Sequence, residues 1–219
     1  MKQNKPVTDE LYRAHTLKSW DSHYEKEKAK QQYPDENLVR ILKGIPPGPA
    51  VDFGCGSGRH IKLLLELGFD PVHGFETSKS AAILCSENFP GVKIDLIDGK
   101  NLSRENLILP LENESQNAVV IWGVLHYNTE EVQNIILKEV RRILKHGGLL
   151  AGTLRSVSDS HFEQNNDMRE VPIGYFTSSE TRSILAPHFE EINLGYSERS
   201  PVGDLSRRIA HWIFEAKKL

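Results

Sequence analysis

The sequence predicts a doubly wound α/β fold, and three observations carry that prediction. Strand-like and helix-like patterns alternate from Ala50 onward, the strand signals are continuously apolar, as in Ala118-Val119-Val120-Ile121-Trp122, and Gly54, Gly56 and Gly58 sit where the first strand turns into its helix. Continuous apolar strands are what a sheet covered on both faces requires. Helical crossovers between them make that sheet mostly parallel, with helices on both faces.

The elements follow in chain order. Residues 1–33 hold seven Lys/Arg and five Asp/Glu with few aliphatics, yet Leu17, Trp20 and Tyr24 fall at helical spacing on one face. This reads as a short amphipathic helix, within about residues 9–31, that docks on the rest as a lid. Asp35 caps a helix carrying Leu38, Val39, Ile41 and Leu42, stopped by Gly44 and Ile45-Pro46-Pro47-Gly48-Pro49. That breaker-rich stretch separates a helical cap, 1–45, from a core domain, 46–219. The core opens with a strand at Ala50–Phe53, a helix over about Gly58–Leu67 and a strand at about Val72–Glu76. A helix over about Lys79–Asn88 capped by Ser78 and a strand at about Val92–Ile97 come next. An irregular polar stretch then leads to the strand Ala118–Trp122.

The next helix, about Glu130–Lys145, buries Val132, Ile136, Val140, Ile143 and Leu144. It opens with Glu130 and Glu131 and closes with Arg141, Arg142 and Lys145, charges that suit the helix dipole at both ends. After Gly147-Gly148 comes a strand at Leu149–Leu154, then a polar connection from Arg155 to Phe176, long enough to read as a lid or binding loop. Thr177 and Glu180 form a capping box for a helix to about Ala186, and two strand-like runs, Glu191–Tyr196 and Arg208–Ala216, end the chain.

Composition excludes several classes. With 27 basic and 30 acidic residues in 219 and a net charge of −3, no sequence-wide positive field exists to collect a nucleic acid or an anionic membrane. The longest uncharged run, Ser115–Thr129, is too short and too polar to span a bilayer. The N-terminal residues lack the apolar stretch of a signal peptide, and Cys55 and Cys85 are too few for a disulfide framework, which points to the cytoplasm. No cysteine or histidine cluster suggests a metal. The expected partner is a small-molecule substrate, with no nucleic acid and no membrane, and the chain is expected to be a monomer or homodimer.

Val51-Asp52-Phe53-Gly54-Cys55-Gly56-Ser57-Gly58 reads as a cofactor cradle, because alternate glycines let backbone approach a ligand where a side chain would collide. Cys55 enters it through its backbone. A dinucleotide fingerprint would need a small residue at Arg59 or Ile61, which weakens a nicotinamide reading, and the phosphate-binding loop's lysine is missing as well. Glu76 ends the second strand 22 residues after Gly54, near the interval at which an acid accepts the hydroxyl protons of a ribose; it also fits a plain first-turn acid.

At this point the chain resembles the class I S-adenosylmethionine-dependent methyltransferases, especially the small single-domain ones, closely over Ala50 to Leu154 and more loosely elsewhere. The resemblance implies a seven-stranded sheet with an antiparallel C-terminal strand and S-adenosylmethionine as cofactor, with S-adenosylhomocysteine as product. It implies that Asp52, Gly54, Cys55, Gly56 and Gly58 hold the methionine end and that Glu76 binds the ribose. Asp98-Gly99 would face the adenine amino group, though the pair also fits an ordinary turn, with Asp95 the alternative acid. Trp122, ending the fourth strand, would lie beside the cofactor. Trp122-Gly123 replaces the Asp/Asn-Pro-Pro-Tyr element by which amino-methylating nucleic-acid enzymes hold their target nitrogen, so base methylation is not expected.

A sulfonium already supplies a good leaving group, so the protein chiefly aligns a nucleophile and excludes water. His126 fits a general base and equally a buried structural histidine. Trp20 and Tyr24 fit a cover over the site and equally plain helix docking. Arg155 fits an acidic substrate or a salt bridge, and His161 is a weaker candidate. The leading reading is a methyltransferase acting on a small-molecule acceptor at O, N or C. The alternatives are a non-enzymatic cofactor-binding partner module on the same fold and a nicotinamide-dependent reductase.

Overall fold

A computed structural model of the chain describes residues 18–24, 32–97, 107–164 and 173–219. Seven strands, β1 Ala50–Phe53, β2 Val72–Glu76, β3 Lys93–Leu96, β4 Gln116–Ile121, β5 Leu144–Arg155, β6 Glu191–Arg199 and β7 Ile209–Lys217, form one sheet in the order β3-β2-β1-β4-β5-β7-β6. Neighbours from β3 through β5 are parallel, and β7 runs antiparallel to both β5 and β6. The strand order reverses between β1 and β4, so a crevice opens at their C-terminal ends, where this fold class places its ligands.

Side chains of successive strand residues point to opposite faces, and both faces are covered. Val51, Phe53, Val119, Ile121 and Leu150 pack with residues of helix α5, Glu130–Ile143, and helix α7, Ser178–Leu185. Ala50, Ala118, Val120 and Ala151 pack on the other face with helices α2, Glu36–Leu42, and α3, Arg59–Glu66. Leu38 and Leu42 of α2 are fully inside this second cluster. Helix α4, Lys79–Asn88, covers β2 and β3, α6 is Ser160–Gln164, and α1 comprises residues 18–24. The remainder of the 9–31 stretch lies outside the described residues.

The caps expected from the sequence are present: Asp35 accepts from the Asn37 N–H, Ser78 from Ala81 and Thr129 from Val132, and Thr177 with Glu180 closes the capping box. The boundary after α5 differs. The helix stops at Ile143 and β5 begins at once at Leu144, five residues before the expected strand start. The C-terminus causes this: Gly147 N donates to Lys218 O at 2.6 Å, Lys218 N to Gly148 O at 3.2 Å, and the Lys218 ammonium to Leu144 O at 2.9 Å.

The connection after β5 also differs from an open polar lid. Ser156, Asp159 and Ser160 are buried, the Ser156 N–H donates to Ala210 O, and Ser160 exchanges hydrogen bonds with the backbone of Arg208. Residues 155–164 are therefore pinned along the start of β7, which the local sequence does not announce. Among the described residues no helix is long and apolar enough to cross a membrane.

Candidate active site

The loop after β1 is the centre of the site. Gly54, Gly56 and Gly58 take φ values of 75°, 54° and 93°, left-handed conformations that disfavour any side chain. The Gly54 and Cys55 N–H groups donate to Phe75 O at the end of β2, and Gly58 caps α3. A Cβ at Gly54 would meet Val124 Cγ2 at 2.4 Å, and one at Gly58 would meet Phe89 and Cys85, so both glycines also permit close packing. Cys55 and Cys85 are buried free thiols.

Asp52, the third residue of β1, is 1% exposed, and neither carboxylate oxygen has a hydrogen-bond partner. Burial pushes its carboxyl up to about 7; Arg59 opposes the shift and Glu76 adds to it. An unpartnered buried acid beside a glycine cradle is the environment that a positively charged ligand group would complete.

Glu76 ties the cradle to α4. Its Oε2 accepts from Gly56 N at 2.8 Å, and its Oε1 from Thr77 N at 2.7 Å and Ser78 N at 2.9 Å. Burial raises its pKa, partly offset by these backbone donors. Three N–H groups already converge on the carboxylate, leaving Oε2 the less occupied oxygen.

Helix α1 lies over this arrangement. Asp21 Oδ1 accepts from the Ser78 hydroxyl at 2.6 Å and from Ser80 N at 3.2 Å, so an acid sits at the N-terminus of α4, favoured by the helix dipole. Three residues on, the Tyr24 hydroxyl reaches Gly56: a Cβ built there would stand 2.3 Å from the phenol oxygen. Burial, then Glu76, raises the Tyr24 pKa and keeps the phenol protonated. Trp20 meets Tyr127 edge-on, with ring centroids 4.9 Å apart.

Across the crevice, at the ends of β4 and β5, His126 is 2% exposed and its Nδ1 is buried without a partner. Burial, then His211 and Arg155, hold its pKa well below the usual histidine value, so it is neutral at physiological pH. Its ring lies 4.3 Å from that of Tyr127 and 6.0 Å from that of His211. Arg155, at the end of β5, pairs through Nη1 with Asp159, a buried rather than a surface ion pair. His161 is engaged with the same aspartate, its Nδ1 2.8 Å from Asp159 Oδ1.

The structure thus brings Asp52, the three glycines, Cys55, Glu76 and Tyr24 to one cradle, and Trp20, His126 and Arg155 to the adjoining space. Trp122 meets His60 edge-on at 6.0 Å and braces the first turn of α3. Asp95 is engaged by His73 at 2.9 Å and Lys93 at 3.1 Å on β3, and Asp98-Gly99 lies outside the described residues. Sequence reasoning missed Asp21, Tyr127, Asp159 and His211. For Asp21 and Asp159 the defining partners stand 57 and 51 residues away, and no local pattern marks such a pair.

Comparison with known proteins accords with this geometry. Residues 51–152 match a family described as a methyltransferase domain. Over 165 residues the chain is 26% identical to a human protein named "Probable tRNA methyltransferase 9B", an alignment covering 73% of this chain and 33% of that one. The chain therefore matches about a third of that relative's length. A methyltransferase from Anabaena variabilis, described as S-adenosylmethionine-dependent, superposes with TM-score 0.69 over 100% of this chain and 99% of its own at 17% identity. A putative methyltransferase of Haloferax volcanii, solved with the Trm112 methyltransferase activator, superposes with TM-score 0.65 at 14% identity, covering 94% and 96%. The left-handed glycine cradle and the unpartnered Asp52 suit S-adenosylmethionine, whose methionine end carries an ammonium beside the sulfonium. With this sheet order, this cradle at the crevice and the match over residues 51–152, the chain carries a methyltransferase domain with the class I methyltransferase fold.

Proposed function

We propose that the protein transfers a methyl group from S-adenosylmethionine to a small-molecule acceptor seated between α1 and the ends of β4 and β5. The placement of α1 carries this reading: with the Tyr24 hydroxyl against Gly56 and Trp20 against Tyr127, an aromatic roof spans the crevice and favours a compact acceptor. When bound, the cofactor supplies a methyl carbon activated by a sulfonium leaving group. Asp52 and the glycine loop hold the methionine end, Glu76 the ribose, and Tyr24 and Trp20 exclude water and limit the acceptor's approach. His126 is neutral with Nδ1 unpartnered, the state a proton acceptor needs. Its depressed pKa suits it to an acceptor whose proton is already loosened. The free thiols at Cys55 and Cys85 accord with a cytoplasmic location.

A second reading, an RNA acceptor, draws on the name of the human relative. Methyl-labelled S-adenosylmethionine offered with a low-molecular-weight cell extract, and separately with total tRNA, distinguishes the two. Label in the small-molecule fraction, lost in Tyr24→Ala, is expected; transfer confined to tRNA would establish the second reading instead.

A further inference from the structure

Away from the crevice, the edge of the sheet carries an apolar groove. Helix α4 turns Ala81 and Cys85 inward, where both are fully buried, yet its outer side carries Ile83, 49% exposed. A helix packed on a sheet ordinarily shows water a polar stripe there. Leu96 of β3 is 53% exposed, and Ala82, Ile83, Ile94 and Leu96 line one open groove of about 380 Å3 together with Lys79 and Glu87. Isolated exposed aliphatics are ordinary on a protein surface; several converging on one groove make a contact surface. β3 also ends the sheet, so among the described residues its outer edge pairs with no strand. An open edge is a template for pairing with another chain.

The charges around the groove select what fits it. Lys79 and Glu87 are both exposed and make no ion pair among the described residues, whereas Lys93 of β3 already meets Asp95 at 3.1 Å. Lys79 stands four residues before Ile83 and Glu87 four after it, all on one stripe of the helix. A two-fold axis through Ile83 therefore sets two α4 helices antiparallel, opposes Ile83 to its own copy and puts each Lys79 against Glu87 of the partner subunit. That is the complementarity of a patch to itself that a two-fold contact requires. Eight residues of helix span about 12 Å, so the two ion pairs would close the ends of an apolar seam. β3 follows the same symmetry. Lys93 and Asp95 flank Ile94, and antiparallel pairing about Ile94 opposes each Lys93 to Asp95 of the partner subunit.

We propose that the face formed by α4 and β3 is a self-association surface, occupied by a second copy of this chain across a two-fold axis near Ile83 and Ile94. With one cation and one anion at opposite ends of the α4 stripe, the groove favours neither an acidic nor a basic partner, but its own inverse. The groove is small beside the area that a permanent dimer buries, so association should depend on concentration. The proposal is independent of the acceptor, because none of these residues belongs to the cradle.

Sedimentation velocity on the full chain, from about 1 μM to about 1 mM, is expected to show the mass rising from monomer toward dimer, the range in which weak interfaces dissociate. Lys79→Glu sets acid against acid at both ends of a symmetric pair, and Glu87→Lys sets base against base. Each variant alone should associate at least about tenfold more weakly than the wild type. An equimolar mixture of the two places opposite charges at both ends, and should regain dimer that neither variant forms by itself. Both substitutions suit the helix dipole, Glu in the first turn and Lys in the last, so α4 is expected to stay folded. Leu96→Asp, on β3, should abolish association independently of either. A wild-type chain that stays monomeric throughout the range would overturn the proposal. So would a dimer indifferent to Leu96→Asp and to both charge reversals, or one that the mixture fails to restore.

Discussion

The Tyr24 hydroxyl packs directly on Gly56, so the roof of the site and the floor of its cofactor cradle touch before any ligand is considered: a Cβ on that glycine would meet the phenol oxygen at 2.3 Å. Gly56→Ala should therefore suffer twice, from a left-handed φ of 54°, at about 1–2 kcal/mol, and from collision with Tyr24. Removing the ring with Tyr24→Ala should relieve only the second cost. A double-mutant cycle on thermal stability is expected to show a coupling of about 0.5–3 kcal/mol, and strict additivity would refute the contact.

Asp52 should make cofactor binding pH-dependent. Its carboxyl sits at about 7 against an ordinary 3.8, so below neutrality it is largely protonated and cannot meet a cation. The ligand's ammonium favours the ionised form, so binding releases a proton. Affinity should rise with pH by up to about tenfold per unit until roughly pH 7 and then level off. Without ligand the sign reverses: the folded chain binds more protons than the unfolded one between these two values, so Asp52 costs stability as pH rises through that window. Calorimetry in buffers of different ionisation enthalpy reads the proton release, and Asp52→Asn should reduce it and flatten the profile.

Glu76 holds the backbone N–H groups of Gly56, Thr77 and Ser78, and the proposed function adds a ribose contact. Glu76→Ala should weaken cofactor binding by about 1–3 kcal/mol. It should also lower the ligand-free melting temperature, because Gly56, Thr77 and Ser78 lose the acceptor of their N–H groups. Glu76→Gln keeps an acceptor oxygen and should lose affinity with less effect on melting. Unchanged affinity in both variants would move the ribose contact elsewhere.

Asp21 anchors the roof. Asp21→Ala removes the acceptor for the Ser78 hydroxyl and the Ser80 N–H, and should speed amide exchange in residues 18–24 while leaving the sheet protected. Cofactor should slow exchange in the same residues of the wild-type chain. Exchange in that helix that responds to neither change would make it fixed scaffold.

His211 should contribute to acid sensitivity. Its folded pKa is about 4 against 6.5, lowered first by burial, so between these values the unfolded chain takes up a proton that the folded chain refuses. Stability from this group is complete above 6.5 and is lost as pH falls toward 4. Asp52 acts in the opposite direction over part of this range, so the informative measurement is the difference between wild type and His211→Gln in chemical denaturation at pH 7 and pH 5. The difference in stability between the two proteins is expected to shrink or reverse at the lower pH.

What was legible in the sequence is what neighbours in the chain settle by themselves. Three alternate glycines after a short apolar strand permit a tight, left-handed turn without a side-chain penalty, and the structure gives all three positive φ. Asp35, Ser78, Thr129 and the Thr177–Glu180 pair cap helices through bonds that span two or three residues. The central strands follow from apolar runs that only a doubly covered sheet can bury, as the fully buried Ala118–Ile121 segment shows.

The tertiary structure decided the features whose partners lie far along the chain. The early start of β5 depends on Lys218, 74 residues beyond Leu144, and the burial of Asp159 on Ala210, 51 residues on. Neither segment carries a periodicity that encodes its partner. Tyr24 at Gly56, and Arg155 with an unpartnered Nε, likewise exist only once distant elements meet. A hydrogen bond or a buried charge is defined by whatever stands within a few ångströms of it, and chain order alone does not contain that distance. Local stereochemistry thus wrote the cofactor cradle into the sequence, whereas the acceptor side and its electrostatics arose from packing between segments that the chain keeps far apart.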